Sequence, residues 1–166
     1  MDYIRSYASP LGNITLACDG TALTGLWFDG QRFSRDTLSP SFQEADAPVL
    51  DLAVRWLDEY FSGSEPTFLP PLNLRGTPFR QRVWRILMTI PYGRTMTYGD
   101  IAKRISEETG VPRMSAQAVG GAVGRNPISI IVPCHRVIGA DGSLTGYAGG
   151  LGVKRQLLAL EGIRLP

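Results

Sequence analysis

Thr97-Tyr98-Gly99-Asp100-Ile101-Ala102-Lys103-Arg104-Ile105, a Gly110-Val111-Pro112 break, and Ser115-Ala116-Gln117-Ala118-Val119-Gly120-Gly121-Ala122-Val123-Gly124 make up the stretch that decides the fold. Thr97 stands where a helix N-cap belongs, and Ile101, Ala102 and Ile105 recur on one helical side. Ser115 caps a second helix in which nearly every residue is small. Each glycine there costs roughly 1 kcal/mol of helix propensity relative to alanine, so the smallness needs a reason. Close approach of another backbone supplies one; tight packing against the protein's own core supplies another. Two short helices joined by a break, the second flat and flanked by arginines, fit a helix-turn-helix.

Downstream, Asn126-Pro127 ends the small-residue helix and leads into Ile130-Ile131-Val132-Pro133-Cys134-His135-Arg136-Val137-Ile138-Gly139. The apolar β-branched run reads as a short buried strand, whose regular pairing Pro133 ends because proline has no N–H. Cys134 then sits beside His135, the only histidine in the chain. A rigidly held thiol with an imidazole able to take its proton is a soft nucleophile, because the thiolate is what attacks. The competing reading is a small core residue beside a structural histidine. Neighbours on a strand point to opposite faces, so adjacency alone is not a hydrogen bond. Beyond, Ala140-Asp141-Gly142-Ser143 predicts a hairpin turn and a small wing. Gly146-Tyr147-Ala148-Gly149-Gly150-Leu151-Gly152 lacks the Lys-Ser/Thr ending of a phosphate loop and reads as a pliable pocket wall. A last helix is predicted from Val153 to Leu160, ending at Glu161-Gly162.

Upstream, Thr77 caps and Pro78 opens a helix with Phe79, Val83, Ile86, Leu87 and Ile90 on one stripe. Before it, Pro66, Pro70 and Pro71 make an extended connector, which places a domain boundary at residues 70–76. The first half is of another kind. Strands around Tyr3–Tyr7, Ile14–Cys18 and Leu23–Phe28, separated by turn residues, predict an antiparallel meander. Residues 29–47 read as irregular, and Val49, Leu52, Ala53, Trp56, Leu57 and Tyr60 mark one amphipathic helix. The fold class is therefore α+β: an N-terminal α/β domain over 1–74, and a mainly helical, winged helix-turn-helix-like domain over 75–166.

Composition narrows the function. Residues 1–74 hold 4 Arg against 10 Asp and Glu, net −6, whereas residues 75–166 hold 13 Lys and Arg against 5 acids, net +8. Such asymmetry points the basic half at a polyanion, unless the two halves merely neutralise each other. No window approaches the ~18 apolar residues of a membrane span, and the first residues lack the apolar core of a signal peptide. A cytoplasmic location is expected. Cys18 and Cys134 have no metal-type spacing, so free thiols and no structural zinc are expected.

With these residues in view, the chain resembles the O6-alkylguanine-DNA alkyltransferase (methylated-DNA–protein-cysteine methyltransferase) family. The resemblance rests on Pro133-Cys134-His135-Arg136-Val137, Ala118-Val119-Gly120-Gly121-Ala122, Asn126-Pro127, Gly146-Tyr147, Gly149-Gly150 and Leu160-Glu161-Gly162, and more weakly on Ser9-Pro10-Leu11-Gly12. It implies direct-reversal repair of double-stranded DNA: a damaged guanine is flipped out and its O6-alkyl group passes permanently to Cys134, one lesion per molecule. By the same resemblance, His135 draws the thiol proton through a water, Glu161 orients the imidazole, and Tyr98 donates to the guanine ring. Asn126 stands behind the site as a hinge, while Val137, Tyr147, Ala148 and Gly149 border the base. Ser115, Ala116, Gln117, Gly120, Arg125 and Arg136 are the expected DNA contacts. No cofactor and no metal are implied, and a monomer is expected.

Three positions depart from the family pattern. Gln117 stands where an arginine usually fills the gap left by the flipped base, with Arg113 or Arg125 as candidates to compensate. Ala148 replaces a hydroxyl residue, and Ser129 a proline, that some members carry. Two other functions compete. A lesion-recognition protein without chemistry would lack the cysteine, and a thiol hydrolase gives no account of the basic half. Salt-dependent DNA binding separates the hydrolase from the other two.

Overall fold

The structure, a computed structural model, describes residues 1–164. It divides into two compact units. The first comprises Met1–Arg75 together with Pro127–Ser129; the second comprises Gly76–Asn126 and the chain from Ile130 onward.

In the first unit β1 (Asp2–Ser9), β2 (Gly12–Cys18) and β3 (Leu23–Phe28) form the antiparallel meander, with Ile4 opposite Ala17 and Leu16 opposite Leu26. Ile4, Ala17 and Trp27 cluster on one face with Leu38. Alternation along the strands places Ile14, Leu16, Leu26 and Phe28 on the other. Gly25 is required beneath Trp27, since a Cβ there would lie 2.0 Å from the indole ring. Residues 29–47 are not wholly irregular: β4 (Phe42–Glu44) joins β1 in parallel, giving the order β3-β2-β1-β4. All three β4 residues are exposed, so no hydrophobic alternation marks it. Helix α1 (Pro48–Phe61) packs on the meander and buries Val49, Leu50, Ala53, Trp56, Leu57 and Tyr60. Pro127–Ser129 extends the sheet beside β3, where Leu26 N donates to Pro127 O (2.9 Å) and Ser129 N to Leu26 O (3.0 Å).

The second unit is built on capped helices. Helix α2 (Pro78–Leu87) has Thr77 accepting from Arg80 N, and α3 (Tyr98–Thr109) has a full capping box between Thr97 and Asp100. Helix α4 (Ala116–Gly124) is capped by the Ser115 hydroxyl, which accepts from the N–H groups of Gln117 and Ala118. Each such cap contributes roughly 1 kcal/mol, which matters most in α4 with its three glycines. Gly110, at φ 73°, closes α3 in the left-handed conformation that only glycine adopts without strain. Helices α2, α3 and α4 pack pairwise, and α5 (Leu151–Leu160) lies against the cysteine segment.

Two expectations are corrected. Ile130–Val132 is buried but is not a strand; it is a turn in which Ile130 holds φ 71°. The wing is also not a hairpin. Gly139 N donates to Ser143 O and Gly142 N to Gly139 O, but the returning chain forms no strand. Instead β6 (Val137–Ile138) pairs in parallel with β5 (Met96–Thr97), next to the start of α3.

Candidate active site

The cysteine is held by its own backbone. Pro133, at φ −82° and ψ 63°, makes an inverse γ-turn that brings Cys134 N to Val132 O (2.8 Å). Cys134–Arg136 then forms one 3-10 turn, with Arg136 N on Pro133 O (3.0 Å). Asn126, buried just past α4, donates Nδ2 to the same Val132 O (2.8 Å) and also reaches the Cys134 side chain. The hinge asparagine therefore fixes the turn that presents the sulfur. Burial pushes the Cys134 thiol up, while Asn126 and the Lys154 charge pull the other way. At rest Cys134 is a thiol, and it becomes nucleophilic only when a base takes its proton.

His135 is the candidate base. Its Nε2 lies 2.5 Å from Glu161 Oε2 with both side chains fully buried. Burial holds the imidazole below its usual pKa, against the pull of the carboxylate, so the ring is neutral. An ionised carboxylate can only accept, which places the ring proton on Nε2 and leaves Nδ1 as the basic nitrogen. Burial would raise Glu161, but hydrogen bonds from His135 and Arg136, with the Arg136 charge, bring it down to about 2. Arg136 supplies Nε to Glu161 Oε1 at 2.8 Å, and Gly93 supplies its N–H to the same oxygen at 3.0 Å. A carboxylate at the end of α5 faces the negative end of a helix dipole. Glu161 is held there by donors rather than by helix electrostatics.

Arg136 is accordingly reassigned. Among the expected DNA contacts, it alone is buried with both ends engaged: Nε on Glu161 and Nη1 on Ile90 O (2.8 Å), with the guanidinium 5.7 Å from the Tyr92 ring. A desolvated guanidinium with these partners is not available to a phosphate, and its Nε holds Glu161 instead. Gly120 is also turned inward, since a Cβ there would meet the Tyr98 ring at 3.9 Å. Ser115, Ala116 and Gln117 lie exposed on the first turn of α4, and Arg125 is half-buried at its end. A Cβ on Gly121 or Gly124 would meet nothing within 4 Å, so the small residues there leave a smooth outer face.

Tyr98, half-buried at the start of α3, donates its hydroxyl to Thr145 O (2.8 Å). That bond ties it to the loop carrying Tyr147, Ala148 and Gly149, which closes with Gly150 N on Tyr147 O (2.9 Å) before α5. Val137 is buried in β6 immediately after the nucleophile turn. Sequence reasoning missed Lys154, fully buried in α5, whose ammonium donates to Val137 O. It also missed Gly93. The signal for Lys154 was its spacing: Lys154, Leu157, Leu158 and Glu161 recur at i, i+3, i+4, i+7 on one helical face. Among the described residues no helix is long and apolar enough to cross a membrane.

Comparison with known proteins gives the family. Residues 78–163 match the family model of the 6-O-methylguanine DNA methyltransferase DNA binding domain, and residues 3–74 match that family's ribonuclease-like domain. A methylated-DNA--protein-cysteine methyltransferase of Mycobacterium tuberculosis is 49% identical over 100% of this chain and 96% of its own. A crystal structure of Mycobacterium tuberculosis OGT in complex with DNA superposes with a TM-score of 0.83 at 49% identity, covering 96% of this chain and 92% of that one. An O6-methylguanine DNA methyltransferase from Methanococcus jannaschii gives a TM-score of 0.63 at 29% identity, with 97% and 93% coverage. With both halves matched in order and the thiol, imidazole and carboxylate gathered in one buried site, the chain belongs to the 6-O-methylguanine DNA methyltransferase family.

Proposed function

We propose that the protein repairs double-stranded DNA by transferring the alkyl group of O6-alkylguanine irreversibly to Cys134, as a methylated-DNA–protein-cysteine methyltransferase that turns over once. The observation that carries this reading is the buried His135 Nε2–Glu161 Oε2 pair, 2.5 Å apart, in the turn that holds a buried thiol. In the transfer, the thiol proton passes through a bridging water to His135 Nδ1 as the sulfur attacks the alkyl carbon. The S–C bond forms, the C–O6 bond breaks, and its electron pair stays with the purine. Tyr98 exchanges Thr145 O for the guanine ring and hydrogen-bonds the leaving purine, which takes up one proton in place of the alkyl group and so balances the proton that the thiol gave to His135. The thioether carries no proton to restore, so the protein ends as product.

The test is intact mass after incubation with duplex DNA carrying one O6-methylguanine. A gain of about 14 Da, absent in Cys134→Ala, is expected for transfer to the sulfur. Lesion-selective binding without a mass change leaves a recognition protein, and neither binding nor transfer removes the repair assignment.

The exposed first turn of α4 is the proposed DNA face, with the base extruded beside Gln117. Extrusion costs a few kcal/mol, and a glutamine can reach the orphaned partner base but brings no charge. Gln117→Arg is therefore expected to tighten binding and steepen the slope of log K against log salt by about 1. Fluorescence anisotropy at four salt concentrations measures this; an unchanged slope places residue 117 away from the phosphates. We place the protein in the cytoplasm as a monomer, consistent with its two free thiols.

A further inference from the structure

The second unit buries a lysine that the transfer chemistry above does not use. Lys154 is fully buried, and its Nζ donates to three backbone carbonyls: Val137 O at 2.5 Å, Thr145 O at 3.1 Å and Gly146 O at 3.2 Å. Three acceptors match the three N–H groups of an ammonium, and a neutral amine could serve only two. Burying that charge is costly, and an apolar side chain of similar volume would serve stability as well or better. The acceptors show what the charge does instead. Val137 follows the Cys134–Arg136 turn directly, whereas Thr145 and Gly146 open the loop that carries Tyr147, Ala148 and Gly149. Thr145 O also accepts from Tyr98. One ammonium thus joins the strand behind the nucleophile, the tyrosine's resting acceptor and the pocket loop, a loop with no strand or helix of its own.

We propose that Lys154 is a positioning residue for alkyl transfer: it clamps the 145–149 loop to Val137 and so fixes the wall that aligns the flipped guanine with Cys134. This rests on the repair reading above. Because a displacement of about 1 Å in a reacting pair costs up to 10²-fold, loss of the clamp should appear in the chemical step rather than in DNA binding.

The experiment compares wild type with Lys154→Met, which keeps the stem and removes the donors. Three quantities are read: affinity for duplex DNA with one O6-methylguanine, single-turnover methyl transfer at saturating DNA, and alkylation of Cys134 by iodoacetamide. Iodoacetamide needs the thiol but not the guanine wall. Affinity is expected to stay within about threefold of wild type, and the iodoacetamide rate to fall by less than about tenfold because the Lys154 charge also favours the thiolate, while methyl transfer falls at least ~30-fold. Hydrogen exchange of the 146–150 amides should accelerate in the same variant. Methyl transfer within threefold of wild type overturns the proposal. So does an equal fall in the iodoacetamide rate, which would place the charge on the thiol instead of the loop. Lys154→Gln, which retains two donors, carries the same comparison if the methionine variant does not fold; failure of both to fold makes Lys154 a folding determinant and also overturns it. Absence of transfer by wild type refutes the repair reading itself, and is thus distinct from all of these.

Discussion

Glu161→Gln should lower single-turnover methyl transfer by about 10²–10⁴-fold while leaving the fold intact, because it inverts the His135 tautomer. The direction follows from the donors around the carboxylate. Oε1 accepts from both Gly93 N and Arg136 Nε, so the carbonyl of a glutamine must take that position. Its amide nitrogen then faces His135 Nε2, which has to become the acceptor. The ring proton moves to Nδ1, and the nitrogen that should receive the thiol proton is already protonated. Since His135 is the only histidine, its ring nitrogen resonances report the tautomer without ambiguity. Wild type should show Nε2–H and the variant Nδ1–H. Retention of Nε2–H, or transfer within threefold of wild type, would sink the assignment of Nδ1 as base.

The same substitution separates chemistry from stability. A carboxyl held at about 2 in the folded state, against 4.5 as its ordinary value, contributes stability that is fully present above about pH 4.5 and is lost as pH falls toward 2. For a shift of that size the loss is on the order of 3 kcal/mol, and Glu161→Gln removes it. Acid unfolding of the variant should be correspondingly shallower over pH 2–5. Near neutrality the variant is destabilised by about 1–3 kcal/mol, because the buried Arg136 loses a charged acceptor. Urea unfolding at pH 7 and pH 3 measures both effects.

What the sequence made legible was whatever local chemistry determines. Thr77, Thr97 and Ser115 are read as caps because their hydroxyls satisfy N–H groups two or three residues away. The meander follows from turn residues between apolar runs. Cys134 and His135 stand out as a thiol beside the single imidazole, whereas Glu161 came from the family resemblance, since spacing alone does not bring residue 135 to residue 161. The misreadings share a cause: their determinants are distant in sequence. Ile130–Val132 has a strand's composition, but its burial comes from surrounding packing, and a β-branched residue at φ 71° has no local signature. Arg136 reads as a contact for phosphate because its acceptors, Glu161 and Ile90 O, lie 25 and 46 residues away. The helical spacing of Lys154 with Leu157, Leu158 and Glu161 puts it on the inner face of α5, but the three backbone carbonyls that receive its ammonium leave no trace in a sequence.

Trp84→Ala should destabilise the protein by about 3–5 kcal/mol and weaken DNA binding at the same time. Trp84 lies on α2 outside the stripe of Phe79, Val83, Ile86, Leu87 and Ile90, yet only 1% of its surface is exposed. Its ring occupies the space over Gly76, where a Cβ would lie 2.3 Å from the indole. Its Nε1–H donates to Ala122 O at 2.8 Å, a carbonyl in the last turn of α4 whose other donor is the cap at Arg125 N (3.2 Å). Helix α4 needs such support. With nine residues, three of them glycine, it is far below the length at which a helix holds its shape alone, and its outer face is left smooth. The indole is therefore both core filler and the brace that keeps the proposed DNA face in register. Trp84→Phe separates the two roles, because it retains most of the apolar area but removes the donor. It should cost about 1–2 kcal/mol, the range of one hydrogen bond plus a small cavity. If the bond fixes α4, the folded phenylalanine variant should also bind duplex DNA several-fold more weakly, roughly the effect of 1 kcal/mol on an equilibrium. Equal affinity in that variant would mean that packing alone holds α4, and that the carbonyl of Ala122 is satisfied by Arg125 N without the indole.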